Sequence, residues 1–137
     1  MKTTASLLIL TIIIGLSTCV KMVKANQAEE LEERLNFIKS YEQLGKGQLV
    51  FCTEALCLLY EENEYQQLWS DRALQKALLR QIKESQFHGL SPYDYHYGAL
   101  RKLSAKYASL KEKERTDFEI LLTDAFLLLT VHLNSGK

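Results

Sequence analysis

Apolar residues along most of this chain recur at intervals of three and four, the period of an α-helix that buries one face. From Gln27 to Leu44, a stripe of Leu31, Leu35, Ile38 and Tyr41 is opposed by Glu29, Glu30, Glu32, Glu33 and Arg34, which load negative charge into the first turn. Gly45-Lys46-Gly47 ends this helix, since each glycine costs a helix interior about 1 kcal/mol relative to alanine. A second helix is predicted from about Gln48 to Tyr60. Its Leu49-Val50-Phe51, Ala55-Leu56 and Leu58-Leu59 are apolar nearly all round, which places it at the centre of the core. Glu61-Glu62-Asn63-Glu64 is a solvated charge run, after which Trp69 precedes Ser70, the expected N-cap of a third helix from Asp71 to about Phe87. Leu74, Leu78 and Ile82 form its buried stripe with Ala77 beside them, and His88-Gly89 closes it with a glycine able to take the left-handed cap. Ser91-Pro92 starts the fourth helix, carried by Leu100, Leu103, Tyr107 and Leu110. The last and longest runs from Lys113 to about Asn134, apolar on most faces between Phe118 and Leu133. Glu119 and Asp124 inside it argue against a membrane span and for a buried central helix.

The first 25 residues read differently. Met1-Lys2 gives a short positive start, Ala5 to Val20 is apolar apart from Ser6, Thr11, Ser17 and Thr18, and Val23-Lys24-Ala25 places short side chains where a signal peptidase reads. Residues 1–25 are therefore expected to be a secretory signal peptide, with Asn26 the first mature residue. Two alternatives remain open. The apolar run is about 16 residues against the ~20 of a spanning helix, which disfavours an uncleaved anchor. Leu16-Ser17-Thr18-Cys19 resembles a lipoprotein cleavage box in which Cys19 is acylated, although Thr18 stands where Gly, Ala or Ser is usual. Membrane attachment is expected only through one of these two routes.

Removal of the leader leaves 14 basic residues against 17 acidic ones, a net charge of −3. With no Lys/Arg cluster and no alternation of basic with aromatic residues, a nucleic-acid partner has no electrostatic basis. No segment alternates with period two, and no glycine-rich phosphate loop or internal repeat is present. The fold expected is all-α: one bundle-like domain of about five helices over residues 26–137, following the signal peptide. About 110 residues bury one modest core, and helices apolar all round imply that part of their surface faces another domain.

Export would carry Cys52 and Cys57 into an oxidising compartment. On one helix, however, residues five apart are about 8.6 Å apart at Cα, beyond bridging reach, so a disulfide requires the helix to begin after Cys52. Both thiols are expected to be small buried hydrophobes rather than nucleophiles, because no histidine or cation adjoins either in sequence. His88, His96 and His132 lack metal spacing; they are expected at a helix end, in packing, and near the last turn of the final helix. Tyr93, Tyr95 and Tyr97 around His96 could form an aromatic platform for sugar rings, though packing of some beneath the turn with others left wet is the favoured reading. No catalytic residue, cofactor site or metal site is expected.

Taken in order, Leu59-Tyr60, Tyr65-Gln66-Gln67-Leu68-Trp69-Ser70, His88-Gly89-Leu90-Ser91-Pro92, Asp94-Tyr95-His96, Leu121-Leu122-Thr123-Asp124-Ala125-Phe126, His132-Leu133 and Ser135-Gly136-Lys137 resemble the non-catalytic scaffold domain of the large murein L,D-transpeptidases. The resemblance runs from about Gln48 to Lys137, with Gln67 where that family often has proline. It implies an exported enzyme that cross-links peptidoglycan through a cysteine acyl-enzyme, carried by a Ser-His-Gly-Cys motif further downstream. Neither Cys52 nor Cys57 lies in such a motif, so no catalytic residue carries over. The chain is expected to be a truncated or fragmentary form of such an enzyme. Its partners would be the catalytic and wall-binding domains or another envelope protein, with peptidoglycan as a further candidate, in the periplasm or cell envelope. The alternative is a stand-alone exported helical module that binds a protein partner or the wall.

Overall fold

The computed structural model describes the backbone of residues 3–137 and the side chains of residues 20–137 apart from Lys46. The expected leader, with Cys19, lies largely outside the residues whose side chains are described. Among the described residues no helix is long and apolar enough to cross a membrane.

Five α-helices and one very short hairpin make up the architecture: α1 (Thr3–Tyr41), β1 (Gln43–Leu44), β2 (Gln48–Leu49), α2 (Thr53–Glu62), α3 (Arg72–Glu84), α4 (Tyr97–Ala105) and α5 (Glu112–Ser135). The all-α expectation holds apart from that hairpin. Leu31, Leu35 and Ile38 of α1 are buried as their spacing predicts, whereas Tyr41 is exposed. Helix α1 stops there because Glu42 turns left-handed, at φ 52°. The Glu42 N–H still reaches Ile38 O at 2.8 Å, and the Glu42 carbonyl accepts the Val50 N–H at 2.9 Å, which opens the hairpin. Gln43 then faces Leu49 and Leu44 faces Gln48, with Gly47 at φ 74° in the connecting turn.

This hairpin displaces the second helix. Expected from Gln48, it begins at Thr53, and of Leu49-Val50-Phe51 only Val50 is buried. Alternation along extended backbone turns its two neighbours outward. Leu58 is likewise exposed, so α2 buries one face, through Leu56, Cys57 and Tyr60, rather than all of its surface.

Helix α3 is capped by Asp71, not Ser70: the Asp71 carboxylate accepts the Ala73 N–H at 2.7 Å. The buried positions are Gln75, Leu78 and Ile82, while Leu74, placed in the stripe by its sequence, is exposed. Gln75 takes the inward position because its amide donates to Trp69 O at 2.5 Å and its oxygen accepts from Arg72. After Glu84 a 3-10 turn over Ser85–His88 ends at Gly89, whose φ of 76° is the left-handed cap expected. The Leu90 N–H returns to Ser85 O at 3.2 Å, and Leu90 itself is buried. The region expected to be one fourth helix is divided into a 3-10 turn (Pro92–Tyr95), α4, and a second 3-10 turn (Tyr107–Ser109). His96 separates the first two at φ 58°.

Helix α5 lies at the centre and packs on α1, α2, α3 and α4. An unbroken run from Phe118 to Ala125 is buried, Glu119, Thr123 and Asp124 included. Its outer turns are not covered: Phe126, Val131 and Leu133 are 45–54% exposed.

Replacing fully buried Leu122 with alanine should cost about 2–5 kcal/mol in urea unfolding. Leu74→Ala should stay within about 0.5 kcal/mol of the parent. Equal losses at the two positions would contradict the face of α3 described above.

Candidate functional site

Two carboxylates about 1.4 helical turns apart on α5, Glu119 and Asp124, organise the polar interior. Glu119 reaches the segment that leads into α3: its Oε1 accepts hydrogen bonds from the Leu68 N–H at 2.6 Å, the Trp69 N–H at 3.2 Å and the Tyr60 O–H at 2.9 Å. Thr123, one turn on, accepts the Trp69 indole N–H at 2.9 Å and sits 2.6 Å from the Tyr60 hydroxyl. Burial pushes the Glu119 carboxyl above its ordinary range, opposed by the N–H donors and the Tyr60 hydroxyl. Tyr60 is driven well above the usual phenol value by burial, reinforced by the Glu119 charge.

Asp124 does the same for the segment leading into α2. Its oxygens accept the Phe51 N–H at 3.1 Å and the Cys52 N–H at 2.7 Å. Cys52 is the N-cap of α2 and contributes no side-chain cap, so the carboxylate from α5 stands in for one. The remaining partner is His96, whose Nε2 lies 2.6 Å from Asp124 Oδ2. A carboxylate only accepts, which puts a ring proton on Nε2; the Gln48 amide N–H then donates to Nδ1 across 3.1 Å. Phe51 stacks on the imidazole at 5.4 Å between centroids and 16° between planes. His96 and Asp124 are both buried, and among the described residues no buried side-chain polar atom lacks a partner.

From the sequence His96 was expected in packing, and Asp124 served to argue against a membrane span and as part of a resemblance motif, with no link drawn between the two. The structure joins them across 28 positions. The available signal was an acid within an apolar run, which a buried helix retains only with partners.

Chemically, this arrangement holds shape rather than reacting. Burial pushes the Cys52 thiol up to about 11, with the charge and hydrogen bond of Asp124 adding to it, the reverse of an activated thiolate. Both ring nitrogens of His96 are committed, so neither serves Cys52 as a base. Helix α2 does begin after Cys52, as a Cys52–Cys57 bridge requires, yet the two thiols are free. Cys52 faces α5, whereas the Cys57 sulfur lies 4.0 Å from Leu35 O of α1. His88 is exposed at the end of the turn after α3, and His132 meets the Tyr95 hydroxyl at 2.9 Å. Among the described residues no group of His, Cys, Asp and Glu is arranged to hold a metal. Of the three tyrosines, Tyr95 is buried, Tyr97 is half-buried and Tyr93 is exposed, the mixed outcome favoured from the sequence.

A family model described as Scaffold domain matches residues 54–137. This chain belongs to the scaffold-domain family. The match takes in α2 to α5, and with them Glu119, Thr123, Asp124 and His96. It agrees with the resemblance to the scaffold of the L,D-transpeptidases. No curated protein and no solved structure matches the chain. A scaffold domain is a non-catalytic unit, in keeping with an interior whose polar groups are all engaged in holding segments together.

Glu119→Gln should change the pH dependence of this scaffold domain's stability. Below the ordinary carboxyl value of 4.5, folded and unfolded chains both hold the proton, and the contribution of Glu119 is fully present. As pH rises the unfolded chain ionises first, so that contribution is lost until pH passes the raised folded value. The stability of the parent relative to Glu119→Gln should therefore fall as pH rises above 4.5 in urea titrations. A difference that grows over that range would contradict burial as the dominant influence.

Proposed function

We propose that this chain is the scaffold portion of a peptidoglycan L,D-transpeptidase, exported with removal of residues 1–25 and working in the periplasm or cell envelope. In this reading it is a non-catalytic helical framework for cell-wall cross-linking, against which catalytic and wall-binding domains pack. The family match over residues 54–137 is the observation that carries it. Two features of the molecule support it. The outward turns of α5 keep Phe126, Val131 and Leu133 exposed, as expected of a helix with a further neighbour to cover it. Cys52, raised to about 11, is unsuited to forming an acyl-enzyme, so the reacting cysteine belongs to a separate Ser-His-Gly-Cys segment.

Mixed with a separately produced catalytic domain carrying that motif, the full chain should form a one-to-one complex by size-exclusion chromatography with light scattering. Val131→Asp should weaken it about tenfold or more while leaving thermal unfolding of the chain unchanged. A monodisperse chain that ignores the catalytic domain would contradict the proposal and favour a stand-alone exported module.

A further inference from the structure

A groove of about 390 Å³ runs between the β1–β2 hairpin and the start of α4. That volume sits near the small end of the range for small-molecule sites, roughly 300–1,000 Å³. Its walls hold three exposed large apolar side chains, Leu49 at 54%, Phe51 at 54% and Tyr93 at 76%. Apart from the committed ring of His96 and the phenol of Tyr93, the described residues that line it carry no acidic or basic side chain. The groove differs in this from the rest of a surface crowded with lysine and glutamate.

Both aromatic rings are held rather than loose. Phe51 stacks on His96, which is fixed by Asp124 and Gln48, and the Phe51 backbone N–H is bound by the same Asp124. Tyr93 meets the Tyr97 ring edge-to-face at 6.3 Å. On its other flank is Gly98, where an added Cβ would stand 3.8 Å from the Tyr93 ring. Gln48 donates its N–H to His96, which leaves its amide oxygen as an acceptor at the groove. Exposed aromatic faces ordered in advance lose little conformational entropy on stacking, and a neutral polar rim suits a ligand with hydroxyls and no charge.

We propose that this groove is a binding site for a neutral pyranose saccharide, one sugar face lying on Phe51 or Tyr93 with a hydroxyl donating to Gln48. Electrostatics favours this class: among the described residues, none lining the walls offers a counter-charge to an anionic or cationic ligand. The apolar C–H face of a pyranose, by contrast, matches an aromatic ring. The sequence placed a platform on Tyr93, Tyr95 and Tyr97; the structure withdraws Tyr95 and supplies Phe51, 42 positions before Tyr93 in the chain. The inference does not rest on the scaffold role, since the two are scored with different ligands.

The test is titration of the ¹⁵N-labelled full chain with chitotetraose and with cellotetraose, followed by amide chemical shifts. One or both sugars should shift Leu49, Phe51, Tyr93 and Gly98 saturably. Tyr93→Ala should weaken binding about two- to tenfold, and Phe51→Trp should preserve or strengthen it, which guards against a loss caused by unfolding. No saturable shift with either sugar, or shifts that survive Tyr93→Ala unchanged, would overturn the proposal. So would a blocked neutral tetra-alanine peptide that shifts the groove residues when neither sugar does.

Discussion

Everything else in this fold depends on backbone N–H groups that no helix or strand can satisfy. Leu68, Trp69, Phe51 and Cys52 lie in the short segments that lead into α3 and α2, and each donates to a carboxylate on the same buried helix. An N–H shielded from water without an acceptor costs on the order of 1–3 kcal/mol, and these four groups lie in half-buried to exposed residues where α5 supplies that acceptor. With these acceptors, the entry points of two helices are fixed to α5, and the direction of each helix follows. The apolar contacts of Leu56, Leu78, Ile82 and Leu122 then supply the bulk of the stabilisation.

Such an arrangement explains both the compactness of a small core and its chemical quiet. A carboxylate placed in an apolar interior is expensive unless its lone pairs are filled, and here N–H and O–H donors from two separate segments fill those of each carboxylate. The same filling keeps both ring nitrogens of His96 engaged near Cys52 and occupies the oxygens of Glu119 and Asp124. What the interior leaves uncovered lies at the surface, on the outer turns of α5 and in the groove beside Phe51 and Tyr93.

Much of this was legible from the residues, and the reasons for the rest are physical. The stripe Leu31, Leu35, Ile38 and the buried run on α5 are local periodic signals, and the structure places them where the period does. The order of short motifs from Leu59 to Lys137 pointed to the scaffold family that the match over residues 54–137 shows. The hairpin was invisible because strands of two residues have no period to detect. Leu74 and Gln75 exchanged roles because an amide with two partners near Trp69 outweighs one leucine on a helix with polar neighbours. The Asp124–His96 pair depends on a fold that brings distant positions together, and hydrophobic patterning carries no information about that.

Native-state hydrogen exchange tests the governing role of Glu119 and Asp124 most directly. Leu68, Trp69 and Cys52 precede helices and have no helical acceptor, so unaided they would exchange as fast as other loop amides. If the α5 carboxylates hold the fold together, these three amides, with Phe51, should exchange as slowly as the central amides of α5, and only through global unfolding. Exchange at loop rates while α5 stays protected would show that the carboxylates are occupants of the core rather than its organisers.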